Sequence, residues 1–191
     1  MSEPLSERDT LRAFLAAEAG KPQPGQSLRE ASQRARQVAE DLLDWPVVRL
    51  RAAVDYEPRR EMYSRLQWTR EALPLAVLRP WPEMGGLPAS FTSGSVVDTA
   101  RAVSAGGVPA SATRLAAMLD SLQASPESAA VLLCQTPPIV VPEECFSDRA
   151  PVLGAAWRVD DGCHRAVCLA VLDPNGRPSC IVGRPRNAFA I

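Results

Sequence analysis

The chain has 191 residues, of which 46% are hydrophobic and 23% charged. This is the composition of an ordinary globular protein, so it excludes a wholly disordered chain, a collagen-like repeat and a disulfide-dense miniprotein. The formal net charge is −1, and the basic residues are interleaved with acids rather than gathered in one segment. We therefore do not expect nucleic acid as a partner, because phosphate recognition needs a concentrated basic surface.

Lysine is nearly missing from the sequence. The basic residues number 21, and Lys21 is the only lysine among them. We interpret this skew toward arginine as the coding bias of a high-GC genome. It leaves Lys21 alone to supply any chemistry that needs a lysine, such as Schiff-base formation or a phosphate-loop lysine.

Two helices are predicted in the first 44 residues. The first covers residues 6–19, and Gly20 is a plausible stop after it. A Pro- and Gly-rich linker follows at residues 21–26. Ser27 and Glu30 have the spacing of a capping box, which opens a second helix running to about residue 44. The Trp45-Pro46 pair then ends that helix.

The next segment contains one predicted strand and one ambiguous stretch. Apolar residues alternate with polar ones over residues 47–55, which predicts a half-buried strand; these residues are Val48, Leu50, Ala52 and Val54. Residues 59–72 fit a helix, and they also fit a strand paired back onto 47–55. Both alternatives stay open. A short apolar strand is predicted at residues 75–78.

The middle of the chain contains a long loop and two helices. Residues 79–94 form the longest stretch without periodicity, and loops of this length are usually functional, disordered or linking. Ser95, with Asp98 three residues later, predicts a capped helix that ends at Gly106-Gly107. Another helix is predicted from Pro109, with apolar residues at helical spacing at Leu115, Met118, Leu119 and Leu122.

The C-terminal part is predicted as strands. Residues 129–134 and 139–141 are short apolar runs. Residues 152–159, 165–172 and 177–183 are predicted to form a three-stranded meander. The pair Asp161-Gly162 suits a two-residue hairpin turn, and residues 173–176 (DPNG) suit a second turn.

The predicted fold class is α+β. N-terminal helices would pack on a mostly antiparallel sheet that includes the C-terminal meander at 152–159, 165–172 and 177–183. We expect a single domain over residues 1–191. The alternative is that residues 1–44 form a helical appendage.

The cysteines and the N-terminal residues predict a compartment. All five cysteines lie at or after Cys134, and their odd number and spacing do not fit a disulfide framework. We predict reduced thiols and a cytoplasmic location. Residues 1–7 lack the pattern of a secretory signal, and no apolar run reaches 18 residues, so no membrane association is expected.

His164 is the only histidine, so any general base that uses an imidazole must be this residue. Cys145 and Ser95 are the candidate nucleophiles. Together with His164 they define one functional hypothesis, a small Cys- or Ser-dependent hydrolase or transferase. The alternative for His164 is an exposed histidine beside a turn, which we favour.

No metal or cofactor is predicted. Cys163, His164, Cys168 and Cys180 are close in sequence, but the C-x₂₋₄-C pairs of structural zinc sites are missing. Cysteines flanked by Val, Leu and Ile more often pack as small hydrophobes, which is what we expect of Cys168 and Cys180.

Two further patterns are interpreted as structural. The Gly85-Gly86 and Gly94-Ser95 pairs lack the lysine of a phosphate loop and the spacing of a dinucleotide fingerprint. The carboxylate pairs Asp160-Asp161 and Glu143-Glu144 fall in predicted turns or loops, where we expect them to be solvated.

A candidate partner-binding segment lies in the long loop. Trp81 stands between Pro80 and Pro82, close to Met84, and an aromatic ring in a stiffened loop is a good anchor for a partner. The alternative is that Trp81 folds back onto the core. We predict a non-catalytic cytoplasmic protein that binds another protein, as an adaptor, chaperone, inhibitor or assembly factor. A second copy of the chain, giving a homodimer, is one such partner.

Overall fold

A computed structural model of the chain describes residues 2–23, 25–54, 56–82, 84–146 and 157–186. These residues form helices packed on a single mixed sheet, which confirms the α+β class. The helices are α1 (Glu7–Ala19), α2 (Leu28–Asp41), α3 (Val47–Ala53), α4 (Glu57–Arg65), α5 (Ala89–Thr92), α6 (Val96–Gly106), α7 (Thr113–Ala124), α8 (Pro126–Cys134) and α9 (Cys163–Leu172). The strands are β1 (Glu3–Leu5), β2 (Leu66–Ala72), β3 (Leu78–Arg79), β4 (Ile139–Pro142), β5 (Trp157–Asp161) and β6 (Ser179–Pro185).

The sheet has the strand order β1-β2-β6-β4-β5-β3. The pairs β1–β2, β2–β6 and β4–β5 are antiparallel, and the pairs β4–β6 and β3–β5 are parallel. Strands that are neighbours in the sheet are therefore mostly distant in the sequence. The central strand β4 is buried along its whole length.

The two faces of the sheet are covered by different helices. Side chains alternate along β4, so that Ile139 and Val141 pack with α1, α3 and α4, whereas Val140 packs on the opposite side with α6, α7 and α9. Strand β6 alternates in the same way, with Ile181 on the first side and Val182 on the second. The period-2 geometry of strands thus places the sheet between two hydrophobic layers.

Three helices begin at serine caps, and those at Ser27 and Ser95 were expected from the sequence. The side chain of Ser6 accepts a hydrogen bond from the backbone N–H of Asp9 at the start of α1. Ser27 with Glu30 and Ser95 with Asp98 form complete capping boxes at α2 and α6. Each cap satisfies amide donors that the first turn of a helix leaves unpaired.

The predicted strand at 47–55 is wrong, because most of it forms α3. Leu50 and Val54 are buried, but Val48 on the same predicted strand face is 77% exposed. Leu50 and Val54 are four residues apart. Residues at this separation lie on the same face of a helix, and they also lie on the same face of a strand, so their burial fits both structures. Pro46 precedes the helix in an extended conformation.

The predicted strand at 129–134 is also wrong, because α8 covers it. Pro126 occupies the first turn, where its missing N–H has no cost. Ala129 and Leu133 are buried whereas Val131 between them is 62% exposed, so the segment has helical rather than alternating burial.

The C-terminal meander is wrong as well. Residues 165–172 belong to α9, and β5 and β6 on either side of it are not neighbours in the sheet. Six residues of α9 are buried, so the helix has no long polar stripe and its sequence resembles a buried strand. Residues 152–156 of the predicted first strand lie outside the described residues.

Residues 59–72 contain both a helix and a strand, since α4 ends at Arg65 and β2 begins at Leu66. The predicted pairing of this strand with residues 47–55 is wrong, because β2 pairs with β1 and β6. The segment 75–78 is mainly a 3-10 turn, and α7 begins at Thr113 rather than at Pro109. The strand at 139–141 is confirmed as part of β4.

Candidate functional site

A cavity of about 680 Å³ lies at the carboxyl end of β5. Residues of α1, α2, α7 and α8 line it. The lining also contains Asp160 and Asp161, the last two residues of β5, together with the first turn of α9. A cavity of this size falls within the range of small-molecule sites.

Asp160 is buried, and two residues of α4 bind its carboxylate. Arg59 donates from Nε to Oδ2 at 3.0 Å and from Nη2 to Oδ1 at 3.2 Å. The hydroxyl of Tyr63 donates to Oδ2 at 2.5 Å. Burial, and then the charge of Asp160, raise the pKa of Tyr63 well above its usual value, so the phenol stays a donor. Burial opposes the charge of Arg59, but the carboxylate of Asp160 outweighs it and raises the pKa of Arg59.

Asp161 is bound within its own segment. Arg165, four residues later in α9, donates from Nη2 to Oδ2 of Asp161 at 2.7 Å. Burial would raise the pKa of Asp161, but Arg165 and then Lys21 lower it below its usual range. Gly162 between them has φ +89°, a left-handed conformation that favours glycine. It caps α9 without a side chain, so no side chain competes for the amides of the first turn.

His164 lies in this first turn of α9. Its Nε2 is buried and has no hydrogen-bond partner among the described residues. Burial lowers the pKa of His164 to about 4, with further contributions from the positive charges of Arg114, Lys21 and Arg165, and the imidazole is therefore neutral at pH 7.

The backbone of Gly85 covers the imidazole of His164. A Cβ built on Gly85 would lie 2.2 Å from Nε2 of His164, and Gly85 itself has φ +52°. Gly86 packs equally closely on the other side, since its Cβ would lie 2.3 Å from the carbonyl oxygen of Ser111. The 3-10 turn Met84–Gly86 thus fits between α9 and the start of α7 because it has two glycines.

Among the described residues that line the cavity, positive charges outnumber negative ones. Its lining includes four cations, Lys21, Arg59, Arg114 and Arg165, and three carboxylates, Glu18, Asp160 and Asp161. Each carboxylate is paired with one of the cations. Among the described residues, Arg114 forms no ion pair, and Nε of Arg165 has no hydrogen-bond partner.

The structure brings together four of the residues predicted as candidates. Trp81, Pro82, Met84 and His164 all line the cavity. Trp81 is half-buried and packs against the core, where the guanidinium of Arg158 lies 5.7 Å from its ring centre. Pro80 is buried, and its carbonyl oxygen accepts a hydrogen bond from Arg158 at 2.6 Å.

The two predicted nucleophiles lie elsewhere. Ser95 caps α6, and its hydroxyl is 2.8 Å from Oδ2 of Asp98. Cys145 packs against the hydrophobic layer formed with α1, α3 and α4. Neither residue lines the cavity that contains His164. The pairing of His164 with Cys145 or Ser95 stays a prediction.

Three of the five cysteines, Cys163, Cys168 and Cys180, are buried. Cys168 and Cys180 have no solvent exposure and pack in the core. Burial raises the pKa of Cys163, Cys168 and Cys180 to about 12, which keeps all three as neutral thiols. Within the described ranges, no group of three or more His, Cys, Asp or Glu residues is arranged to hold a metal ion.

The expectation that Asp160 and Asp161 are solvated is wrong. Both residues are buried, at 6% and 5% exposure, because arginines compensate their charges. Arg59 and Tyr63, which bind the carboxylate of Asp160, lie about a hundred positions away in the sequence, and no sequence motif predicts this contact. Glu143 pairs with Arg158 and stays partly exposed; the side chain of Glu144 lies outside the described part of the chain.

Comparison with protein-family models, with curated proteins and with solved structures found no match to this chain. Among the described residues, no helix has both the length and the apolar character needed to cross a membrane.

The depressed pKa of His164 makes stability depend on pH. The folded state holds His164 neutral down to about pH 4, whereas the unfolded chain takes up a proton near pH 6.5. We expect the free energy of unfolding to fall as pH decreases from 6.5 to 4, by up to about 3 kcal/mol from this residue. Urea denaturation at several pH values measures this change in the free energy of unfolding. The variant His164→Gln should lose this part of the slope; an unchanged slope would contradict the assignment.

The close approach of Gly85 to His164 predicts a large effect of Gly85→Ala. We expect it to cost at least 2 kcal/mol of stability (a rough value), from the left-handed backbone and from the collision of the new methyl with the imidazole. Two glycines are matched controls. Gly25→Ala, with φ +77° and nothing within 4 Å, should show only the backbone cost of about 1–2 kcal/mol, and Gly106→Ala in open space should be nearly neutral. Equal losses for Gly85→Ala and Gly25→Ala would refute the contact.

Proposed function

We propose that this protein binds a small molecule and holds an anionic group of that ligand at one end of the cavity. This end, called the basic end, contains Arg114, Arg165 and the first turn of α9. The observation that carries the proposal is the charge arrangement: three carboxylates and three cations neutralise each other, and Arg114 adds a positive charge with no described carboxylate partner. A partly buried guanidinium in a concave site is a strong recognition group for an anion.

The first turn of α9 supports the same proposal. Helix N-termini have unpaired amide donors and a partial positive charge. Here the N-cap is Gly162, and no side chain among the described residues accepts a hydrogen bond from the amides of this turn. A ligand anion at this end of the cavity would lie near that partial positive charge.

The arrangement favours binding over catalysis. A nucleophile activated by His164 would have to lie within hydrogen-bond reach of the imidazole. Cys163 adjoins His164 in sequence, but burial raises its thiol pKa to about 12, so it is a poor source of thiolate.

Binding of another protein or of a second copy of the chain stays a second proposal. It is supported by apolar side chains exposed around the N-terminal helices, namely Leu43 at 52%, Val48 at 77% and Tyr56 at 59%. Affinity capture from the native host tests it. The cytoplasmic location stays a prediction as well.

Inorganic phosphate, a small anion without an apolar part, tests the ligand proposal. We expect phosphate to raise the melting temperature by about 2–4 °C over chloride at equal ionic strength, because an anion that binds only the folded state stabilises it. Arg114→Gln should abolish the rise. Arg101→Gln on α6, where the side chain is 72% exposed, removes an arginine outside the cavity and should retain it.

Three results would contradict the proposal. Phosphate could leave the melting temperature of the parent protein unchanged, Arg114→Gln could respond as strongly as the parent, or both arginine variants could lose the response equally. The last result would point to general screening of surface charge rather than to binding at Arg114.

A further inference from the structure

Apolar side chains line the same cavity as the basic residues. Leu15 of α1, Leu132 of α8 and Trp81 line it and are only partly buried, and Tyr56 at its edge is 59% exposed. Apolar side chains that stay accessible inside a concave site gain free energy when an apolar group covers them. A purely polar ligand would leave this surface in contact with water.

The basic end matches one negative charge. Among the described lining residues, four cations face three carboxylates, and His164 adds no charge at neutral pH because its pKa is lowered to about 4. A carboxylate supplies one charge, and its two oxygens suit a guanidinium. A phosphomonoester has nearly two charges at pH 7, which is one more than the described lining residues balance.

On the basis of the function proposed above, we propose that the ligand is a carboxylic acid with an apolar body. Its carboxylate would bind Arg114 near the first turn of α9. Its apolar body would lie against Leu15, Leu132 and Trp81. Two independent features of one cavity define this ligand class: the unmatched cation among the described lining residues and the accessible apolar side chains.

Isothermal titration with simple probes tests the ligand class. At pH 7.5, we expect octanoate to bind at least tenfold more tightly than acetate, which lacks the apolar body, and at least tenfold more tightly than octan-1-ol, which lacks the charge. Octyl phosphate should bind no more tightly than octanoate.

Two neighbouring residues of α8 provide a matched pair of variants. Leu132 lines the cavity, whereas Val131 is 62% exposed and does not. Leu132→Ser should weaken octanoate binding at least fivefold and leave the response to phosphate intact. Val131→Ser should leave both unchanged. Arg114→Gln should remove the preference for octanoate over octan-1-ol.

The alternative outcomes separate this proposal from the one on which it rests. If phosphate stabilises the protein through Arg114 but octanoate binds no better than acetate, the apolar body is refuted and the anion site stands. If octan-1-ol equals octanoate, or octyl phosphate exceeds it tenfold, the carboxylate is refuted. If neither phosphate nor octanoate binds, both proposals fail. Equal losses for Leu132→Ser and Val131→Ser would also refute the placement of the apolar body.

Discussion

A single buried carboxylate connects the N-terminal helices to the sheet. The side chain of Asp160, at the end of β5, is 1% exposed and is shared by Arg59 and Tyr63 of α4. An uncompensated charge at this depth would be strongly destabilising, so the position of α4 is fixed by the need to supply donors. Tyr63 in turn packs against Phe14 of α1 and Trp68 of β2. The cavity depends on this contact, because α1 and α4 form part of its lining.

The fold could be predicted from the sequence where local signals decide the structure. The serine caps at Ser27 and Ser95 identified α2 and α6 because their hydrogen bonds lie within four residues. Helix α9 was missed because most of its sequence is buried, and a buried helix shows no polar face from which to infer its period. The strand order was missed for a related reason, since β4 lies between β5 and β6 only through long-range pairing.

The site could be predicted only in part. His164 could be identified as a candidate because it is the only histidine, and Trp81 because it is an aromatic residue in a proline-rich loop. Both residues line the cavity. The carboxylates beside them were misinterpreted, because Asp160-Asp161 has the composition of a turn and its partners are remote in sequence. Arg114 carried no signal at all. Its importance arises from charge balance among residues that only the tertiary fold brings together.

The role of Asp160 is tested most directly by the free energy of unfolding of Asp160→Asn, measured by urea denaturation beside Asp120→Asn. Asp120 is an exposed carboxylate on α7, so its replacement controls for the loss of one negative charge. We expect Asp160→Asn to lose about 3–5 kcal/mol, because Arg59 then remains largely buried without its counter-charge, and Asp120→Asn to lose less than about 0.5 kcal/mol. A loss for Asp160→Asn no larger than that for Asp120→Asn would contradict the account.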